Sequence, residues 1–348
     1  MSLKKYTLTI QEIRKETENT ITICFKQPGL RKIKYQAGQY ITLILRINGR
    51  KYARPYSFSS APSVDTALEV TVKRVPDGIV SNYINTELKV GDVVEVLEPM
   101  GDFTCETIQS IQSIFLWGVG SGITPLFSII KEVLHHLPGT AVHLIYGNKN
   151  QESSIFMNQL NLLKQEYPTV FSINNFYSQL ENVIESNSIH KGRISSEFVT
   201  HYIAQHKNVK ESVHYICGPK GLKNTIQSSL MDLNVPSSSI FVEEFELVID
   251  PKELEDVEDS KVTVFFQGEP SEIFVPKGKN ILDVALDNGI ELPYSCQTGN
   301  CSSCKGKLKE GQLKMLGLTK EREDLAQDEF LLCCSYPLVG EVNIEVKQ

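Results

Sequence analysis

The sequence lacks the features that would place it in a bilayer, on nucleic acid or in a disulfide-stapled exterior. Its long uncharged stretch, Thr107 to Ile130, is interrupted by Gly118, Gly120, Gly122 and Pro125. It therefore reads as buried strand, loop and helix, not as a membrane span, and no membrane partner is expected. Basic residues are the minority sign, 35 Lys and Arg against 42 Asp and Glu, for a net charge of -7. That balance argues against nucleic acid, whose phosphates demand clustered cations, and leaves room for a basic docking patch on a protein partner. The opening Met1-Ser-Leu-Lys-Lys has no apolar signal core, so the expected compartment is the cytoplasm. No internal repeat is visible. Of eight cysteines, Cys24, Cys105 and Cys217 are scattered through apolar segments and five fall after residue 290. Such clustering, in a chain without a visible secretion signal, suits metal ligation better than a disulfide framework.

What is present is a multidomain pattern. Residues 1–108 read as short alternating strands, among them Tyr6–Ile10, Thr20–Phe25, Gln39–Leu45, Leu68–Val72 and Val93–Val96, which predicts an antiparallel β-barrel. One helix is expected from Ser81 as N-cap. Residues 109–247 alternate apolar strands (Ser113–Trp117, Ala141–Tyr146, Val213–Cys217) with helical segments (Leu126–Leu137, Ile155–Tyr167, Leu222–Leu233), the signature of an α/β domain around a parallel sheet. Residues 248–260 are acidic and read as a linker. Residues 261–348 form a third, α+β unit.

The spacing Cys296-x4-Cys301-x2-Cys304, with a cysteine pair at Cys333 and Cys334 far downstream, is the plant-type 2Fe-2S pattern. Soft thiolates saturate sulfide-bridged iron, and Ser295, Thr298, Gly299, Ser302 and Ser303 are small enough to let backbone N–H groups approach the sulfurs. A zinc site or buried inert thiols is the competing reading, although zinc sites more often show paired C-x2-C units. The whole module resembles a ferredoxin of the β-grasp type. In that family the fourth ligand precedes two residues and then Tyr-Pro, so Cys333-Cys-Ser-Tyr336-Pro337 implies Cys333 as the ligand.

Arg54-Pro55-Tyr56-Ser57 resembles the flavin motif of the ferredoxin-NADP reductase superfamily. There Arg forks onto pyrophosphate, the aromatic stacks on the isoalloxazine and the hydroxyl reaches flavin N5. Val72-Lys73 and Gly78-Ile79-Val80-Ser81 follow at that superfamily's spacing and imply FAD, with the pyrophosphate at a helix N-terminus. Gly118-Val-Gly120-Ser-Gly122-Ile-Thr124 departs from G-x-G-x-x-G but resembles the superfamily's nicotinamide-nucleotide loop, as does Cys217-Gly218-Pro219. The resemblance implies that Ser57, Thr124 and Cys217 stand by the reacting rings, although Cys217 can equally be a packing thiol. NADPH or NADH would be the donor. Lys149, Ser153 and Ser154 suit a 2'-phosphate, whereas Glu152 does not. Phe245 stands where relatives bring an aromatic near the flavin, or is simply a core residue.

The order of modules resembles the reductase components of bacterial multicomponent oxygenases, especially the phenylacetyl-CoA epoxidase reductases. It implies electron flow from NAD(P)H through FAD and the cluster to a diiron oxygenase component. Alternative acceptors are a hybrid-cluster protein or a steroid hydroxylase. An electron-transfer component of a dehydrogenase and a zinc-stapled binding module are the readings from other classes. The seven histidines are expected to be structural.

Overall fold

The computed structural model describes residues 3–29, 32–105, 111–179, 186–206, 209–318 and 321–347. Part of the uncharged run beginning at Thr107 lies outside them. Contacts divide the chain into two units, one of Tyr6–Ile41 with Tyr56–Glu244, the other of Met1–Lys5, Thr42–Pro55 and Phe245–Gln348.

The N-terminal region forms six strands, β1 (Lys5–Thr17), β2 (Thr20–Phe25), β3 (Tyr40–Ile47), β4 (Arg50–Ser57), β5 (Leu68–Lys73) and β6 (Val93–Leu97), in the sheet order β4-β3-β6-β1-β2-β5. β1 pairs antiparallel with β2 through the tight turn that sets Thr17 opposite Thr20, and β2 pairs antiparallel with β5. Alternation buries Leu8, Ile10, Ile23, Phe25, Leu68 and Val70. Helix α1 spans Ile79–Thr86 with Gly78 as its N-cap. The cap expected at Ser81 is thus a correction: Gly78 is extended, and Ser81 sits inside the first turn.

The middle region is a six-stranded sheet of β7 (Ser113–Val119), β8 (Ala141–Asn148), β9 (Phe171–Tyr177), β10 (Ile189–Lys191), β11 (Val213–Cys217) and β12 (Ile240–Glu243), ordered β10-β9-β8-β7-β11-β12. Every neighbouring pair is parallel. Helices α2 (Ile123–His136), α3 (Met157–Glu166), α4 (Ser196–Ala204) and α5 (Lys220–Asp232) connect them. Apolar side chains fill both faces: Ile114, Leu116 and Leu144 on one, Phe115, Trp117 and Ile145 on the other. Strand order reverses between β7 and β11, and the crevice beyond the carboxyl ends at such a switch is where ligands bind in this architecture.

The C-terminal region holds β13 (Ser260–Phe266), β14 (Glu269–Val275), α6 (Ile281–Asp287), β15 (Lys305–Glu310), β16 (Leu313–Met315), β17 (Glu329–Leu331), β18 (Ser335–Pro337) and β19 (Glu341–Val346). The sheet runs β14-β13-β19-β15-β17, with β13 and β19 parallel and α6 over its core. The segment read as a linker is ordered. Asp250 and Glu253 cap a short 3-10 turn reciprocally, and Val257, almost fully buried, packs with Leu316 and Tyr336. Its few apolar residues anchor it while its carboxylates face water.

Candidate functional site

The switch point is built on glycine. β7 runs into a 3-10 turn, Gly120–Gly122, and then α2. Gly120 adopts φ +57°, and a Cβ on Gly122 would stand 2.1 Å from the Cys217 carbonyl oxygen. Only glycine lets the loop press so closely on the end of β11. A Cβ on Gly118 would stand 2.9 Å from Leu126 Cδ1, a milder contact with a side chain. Tyr146 Oη donates to the Gly120 carbonyl (3.2 Å), and Thr124 Oγ1 donates to the Ser121 carbonyl (3.0 Å). The hydroxyl proton of Thr124 thus closes the turn. Cys217 is buried, and burial, then the carboxylates of Glu243 and Glu244, push its thiol well above its usual range. It stays protonated and apolar. Gly218 packs on Val119, and Pro219 is the N-cap of α5.

A cleft of about 630 Å³ opens beside this loop. Its walls bring Gly120 and Pro219 together with Lys73, Lys149, Ser153 and Arg193, and among the described residues no carboxylate lines it. Burial and then the charge of Lys149 lower the pKa of Lys73. Crowded cations without acidic partners on the wall attract an anion. Asn148 also lines the cleft, and its Nδ2 is buried without a partner among the described residues. These features fit a phosphorylated dinucleotide. Sequence reasoning missed Arg193, Ser178 and Asn148; the short basic run Lys191-Gly-Arg193 was the available signal. Gly192 at φ +101° turns the chain at β10's end, and Arg193 follows it into the cleft wall.

The flavin-type motif lies along β4. The division between the two units falls inside it, between Pro55 and Tyr56. Arg54 Nη1 donates to the Ala53 carbonyl (2.9 Å), and its guanidinium is 5.9 Å from the Tyr52 ring centroid. Ala53 N donates to Tyr294 Oη (2.9 Å), and Thr42 Oγ1 shares a 2.6 Å bond with Ser295 Oγ. The hairpin is thereby tied to the residues just before Cys296. In the other unit, Ser57 and Val72 are buried. Ser81 Oγ accepts from Val75 N (3.0 Å), Asn82 Nδ2 donates to the Val75 and Gly78 carbonyls, and Asn85 Nδ2 donates to the Val72 carbonyl (3.3 Å). Val80 is buried and Ile79 exposed. No acidic residue occupies the first turn of α1, although Asp77 stands just before its N-cap.

In the C-terminal unit four sulfurs converge. Cys296 accepts from the thiols of Cys301 and Cys333, and Cys333 also bonds with Cys304. Thr298 N and Cys301 N point at Cys296 Sγ from 3.4 and 3.3 Å. The thiols of Cys301 and Cys333, and after them the amides of Thr298 and Cys301, lower the pKa of Cys296, and Cys296 in turn raises those of Cys301 and Cys333. Gly299 at φ +76° makes the wrapping possible, since a Cβ there would strike Leu318 and approach Cys334 Sγ. Leu332 N donates to the Cys304 carbonyl (3.0 Å), bringing the downstream pair to the loop. Cys334 Sγ instead donates to the Leu331 carbonyl (3.4 Å), 3.9 Å from Cys333 Sγ. No three metal-binding side chains among the described residues group tightly enough for one ion. A two-iron cluster asks for only two thiolates per iron, so the set fits a cluster better than zinc, which needs three or four ligands on one ion.

Comparison with known proteins gives three consecutive matches. Residues 7–105 match the oxidoreductase FAD-binding domain, 116–228 the oxidoreductase NAD-binding domain, and 264–338 the 2Fe-2S iron-sulfur cluster binding domain. The chain is 31% identical over 352 residues to the ferredoxin reductase component of 3-ketosteroid-9-alpha-monooxygenase from Rhodococcus rhodochrous, covering 97% of this chain and 96% of that one. It is 31% identical over 349 residues to a component of 1,2-phenylacetyl-CoA epoxidase from Escherichia coli strain K12, covering 98% and 97%. Its fold matches that of phthalate dioxygenase reductase with a TM-score of 0.70, at 22% identity and 98% coverage of both chains.

Proposed function

The chain belongs to the ferredoxin-NADP reductase-like flavoproteins that carry a 2Fe-2S domain, and from that premise we propose that it delivers electrons from NADPH to a diiron oxygenase of the phenylacetyl-CoA epoxidase type. It is an NAD(P)H oxidoreductase with FAD and a 2Fe-2S cluster as cofactors. FAD, when bound, takes electrons pairwise as hydride and releases them singly, which a cluster can accept. The protein's own residues position and insulate. By the family resemblance, Arg54 would reach the flavin pyrophosphate, as would the amides of Gly78–Ser81, Pro55 and Tyr56 would belong to the ring's surroundings, and Lys73 would face the nucleotide from the cleft wall. Ser57 would offer the ring a hydroxyl. Gly118, Gly120, Gly122, Thr124, Gly218 and Pro219 shape the nicotinamide loop, and Cys217 gives it a dry, uncharged floor. Cys296, Cys301, Cys304 and Cys333 ligate the cluster.

The observation that carries the choice of NADPH is the cationic cleft: Lys149, Arg193 and Ser153 line it, with no carboxylate among the described lining residues. Replacing Lys149 or Arg193 by Ala should raise KM for NADPH about tenfold or more, the worth of one charged hydrogen bond, and leave KM for NADH nearly unchanged. Equal effects on both donors would refute the assignment.

The oxygenase partner rests on likeness to the epoxidase component. A steroid monooxygenase is the second reading, because the Rhodococcus relative is equally similar over the same span. Steady-state reduction of purified epoxidase oxygenase against steroid monooxygenase, with NADPH as donor, separates them. The acceptor turned over faster at equal concentration identifies the class.

A further inference from the structure

The cluster loop is held from outside by one arginine. Arg322 lies in the excursion between Cys304 and Cys333, and although Glu321, Glu323 and Asp324 beside it are exposed, its own side chain is only 13% exposed. All five of its N–H donors are used. Nη1 donates to the carbonyls of Gly299 and of Cys301 (3.3 Å for the latter). Nη2 donates to Ser302 Oγ (2.7 Å) and Asp324 Oδ2 (2.8 Å), and Nε to Asp324 Oδ1 (2.7 Å). Ser302 Oγ in turn donates to Asp324 Oδ2 (3.3 Å).

The geometry has a physical reason. A loop that turns its amides inward, as Thr298 and Cys301 do toward Cys296 Sγ, turns carbonyls outward. Left alone, those carbonyls compete for other donors and let the loop relax. A planar guanidinium can take two carbonyls and a hydroxyl at once while a carboxylate fixes its other edge; a lysine ammonium cannot. The place matters as well, because Cys301 is the one cysteine of the four that is not fully buried.

We propose that Arg322 is a positioning residue of the iron-sulfur centre: its fork on Gly299, Cys301 and Ser302, braced by Asp324, holds Cys301 in ligating geometry, and its charge favours the reduced cluster. The inference rests on Cys296, Cys301, Cys304 and Cys333 being the ligands. Two substitutions separate fork from charge. Arg322→Lys keeps the charge and loses the fork, whereas Arg322→Gln loses both. In the full-length holoprotein both variants should bleach under a chelator at least about fivefold faster than wild type, by visible absorbance. Asp324→Asn, which loosens the brace on the exposed side, should fall between. In EPR-monitored redox titration the midpoint of Arg322→Gln should move to lower potential, with that of Arg322→Lys near wild type. FAD content and flavin reduction by NAD(P)H should be unchanged in all three. Wild-type bleaching in Arg322→Lys, or in Asp324→Asn should the Arg322 variants fail to fold, overturns the positioning role; equal midpoints in Lys and Gln variants overturn the charge role. Cys301→Ser serves as the control. If it retains the native cluster spectrum, the ligand set is at fault; if it loses the cluster while Arg322→Lys behaves as wild type, only the role of Arg322 falls.

Discussion

The nucleotide-binding module should lose stability as pH falls below neutral, through two histidines buried uncharged on one face of its sheet. Phe115 lies between His143 and His214, stacked at centroid distances of 4.6 and 5.0 Å. Trp117 Nε1 donates to His214 Nδ1 (3.2 Å), which makes Nδ1 an acceptor and leaves the proton on Nε2, facing Ser212 Oγ at 2.8 Å. Protonating His214 would break the tryptophan bond and bury a charge. His143 shares its Nδ1 with Ser172 Oγ (2.9 Å), and its Nε2 is buried without a partner among the described residues. Burial lowers His214 to about 3; burial, then the neighbouring His206, lowers His143 to about 4. For a base whose folded pKa lies below its unfolded value, the unfolded chain binds more protons in between, so stability rises with pH and is lost as pH falls from 6.5 toward the folded values. From pH 7 to 5.5 each such imidazole costs about 1.3 kcal/mol and the pair about 2.5 kcal/mol, provided both stay neutral when folded. Trp117 is the chain's single tryptophan, so its fluorescence in urea reports this module alone. His214→Asn keeps an acceptor for Trp117 and removes one titrating group, and should halve the pH dependence. An unchanged slope in that variant, or a flat profile in the wild type, would refute the reasoning.

Three further outcomes follow from particular contacts. Gly122→Ala puts a methyl 2.1 Å from a backbone oxygen, which no rotamer relieves; the nicotinamide loop should shift, at a cost of about 3 kcal/mol or more, and hydride transfer should collapse while FAD content is retained. Tyr294→Phe leaves the buried Ala53 N–H without its acceptor, so thermal unfolding of the C-terminal unit should show a loss of about 1–3 kcal/mol. Cys333→Ser should abolish the iron-sulfur spectrum, whereas Cys334→Ser, whose sulfur is turned to the Leu331 carbonyl, should keep it; the opposite pattern would exchange their roles.

The sequence by itself determined the three-module order and nearly all of the cofactor chemistry. Those features are local: three cysteines within nine residues and glycines at the end of an apolar strand are short patterns whose spacing is the chemistry. Strands with unbroken or alternating apolar residues, such as Val213–Cys217, are legible for the same reason. By contrast β9 is not legible, because Asn174 and Asn175 interrupt its apolar run; both are buried, and Asn174 bonds to Tyr202 Oη and His190 Nε2. Partners that make a buried polar residue tolerable come from distant elements and leave no local mark. The same holds for the ordering of residues 248–260, for Arg193 in the cleft and for Arg322 on the cluster loop. Local spacing therefore pointed to three candidate sulfurs and the family resemblance to the fourth, while only the tertiary structure decided what surrounds them, because hydrogen bonds across long stretches of chain depend on which strands and loops the fold brings together.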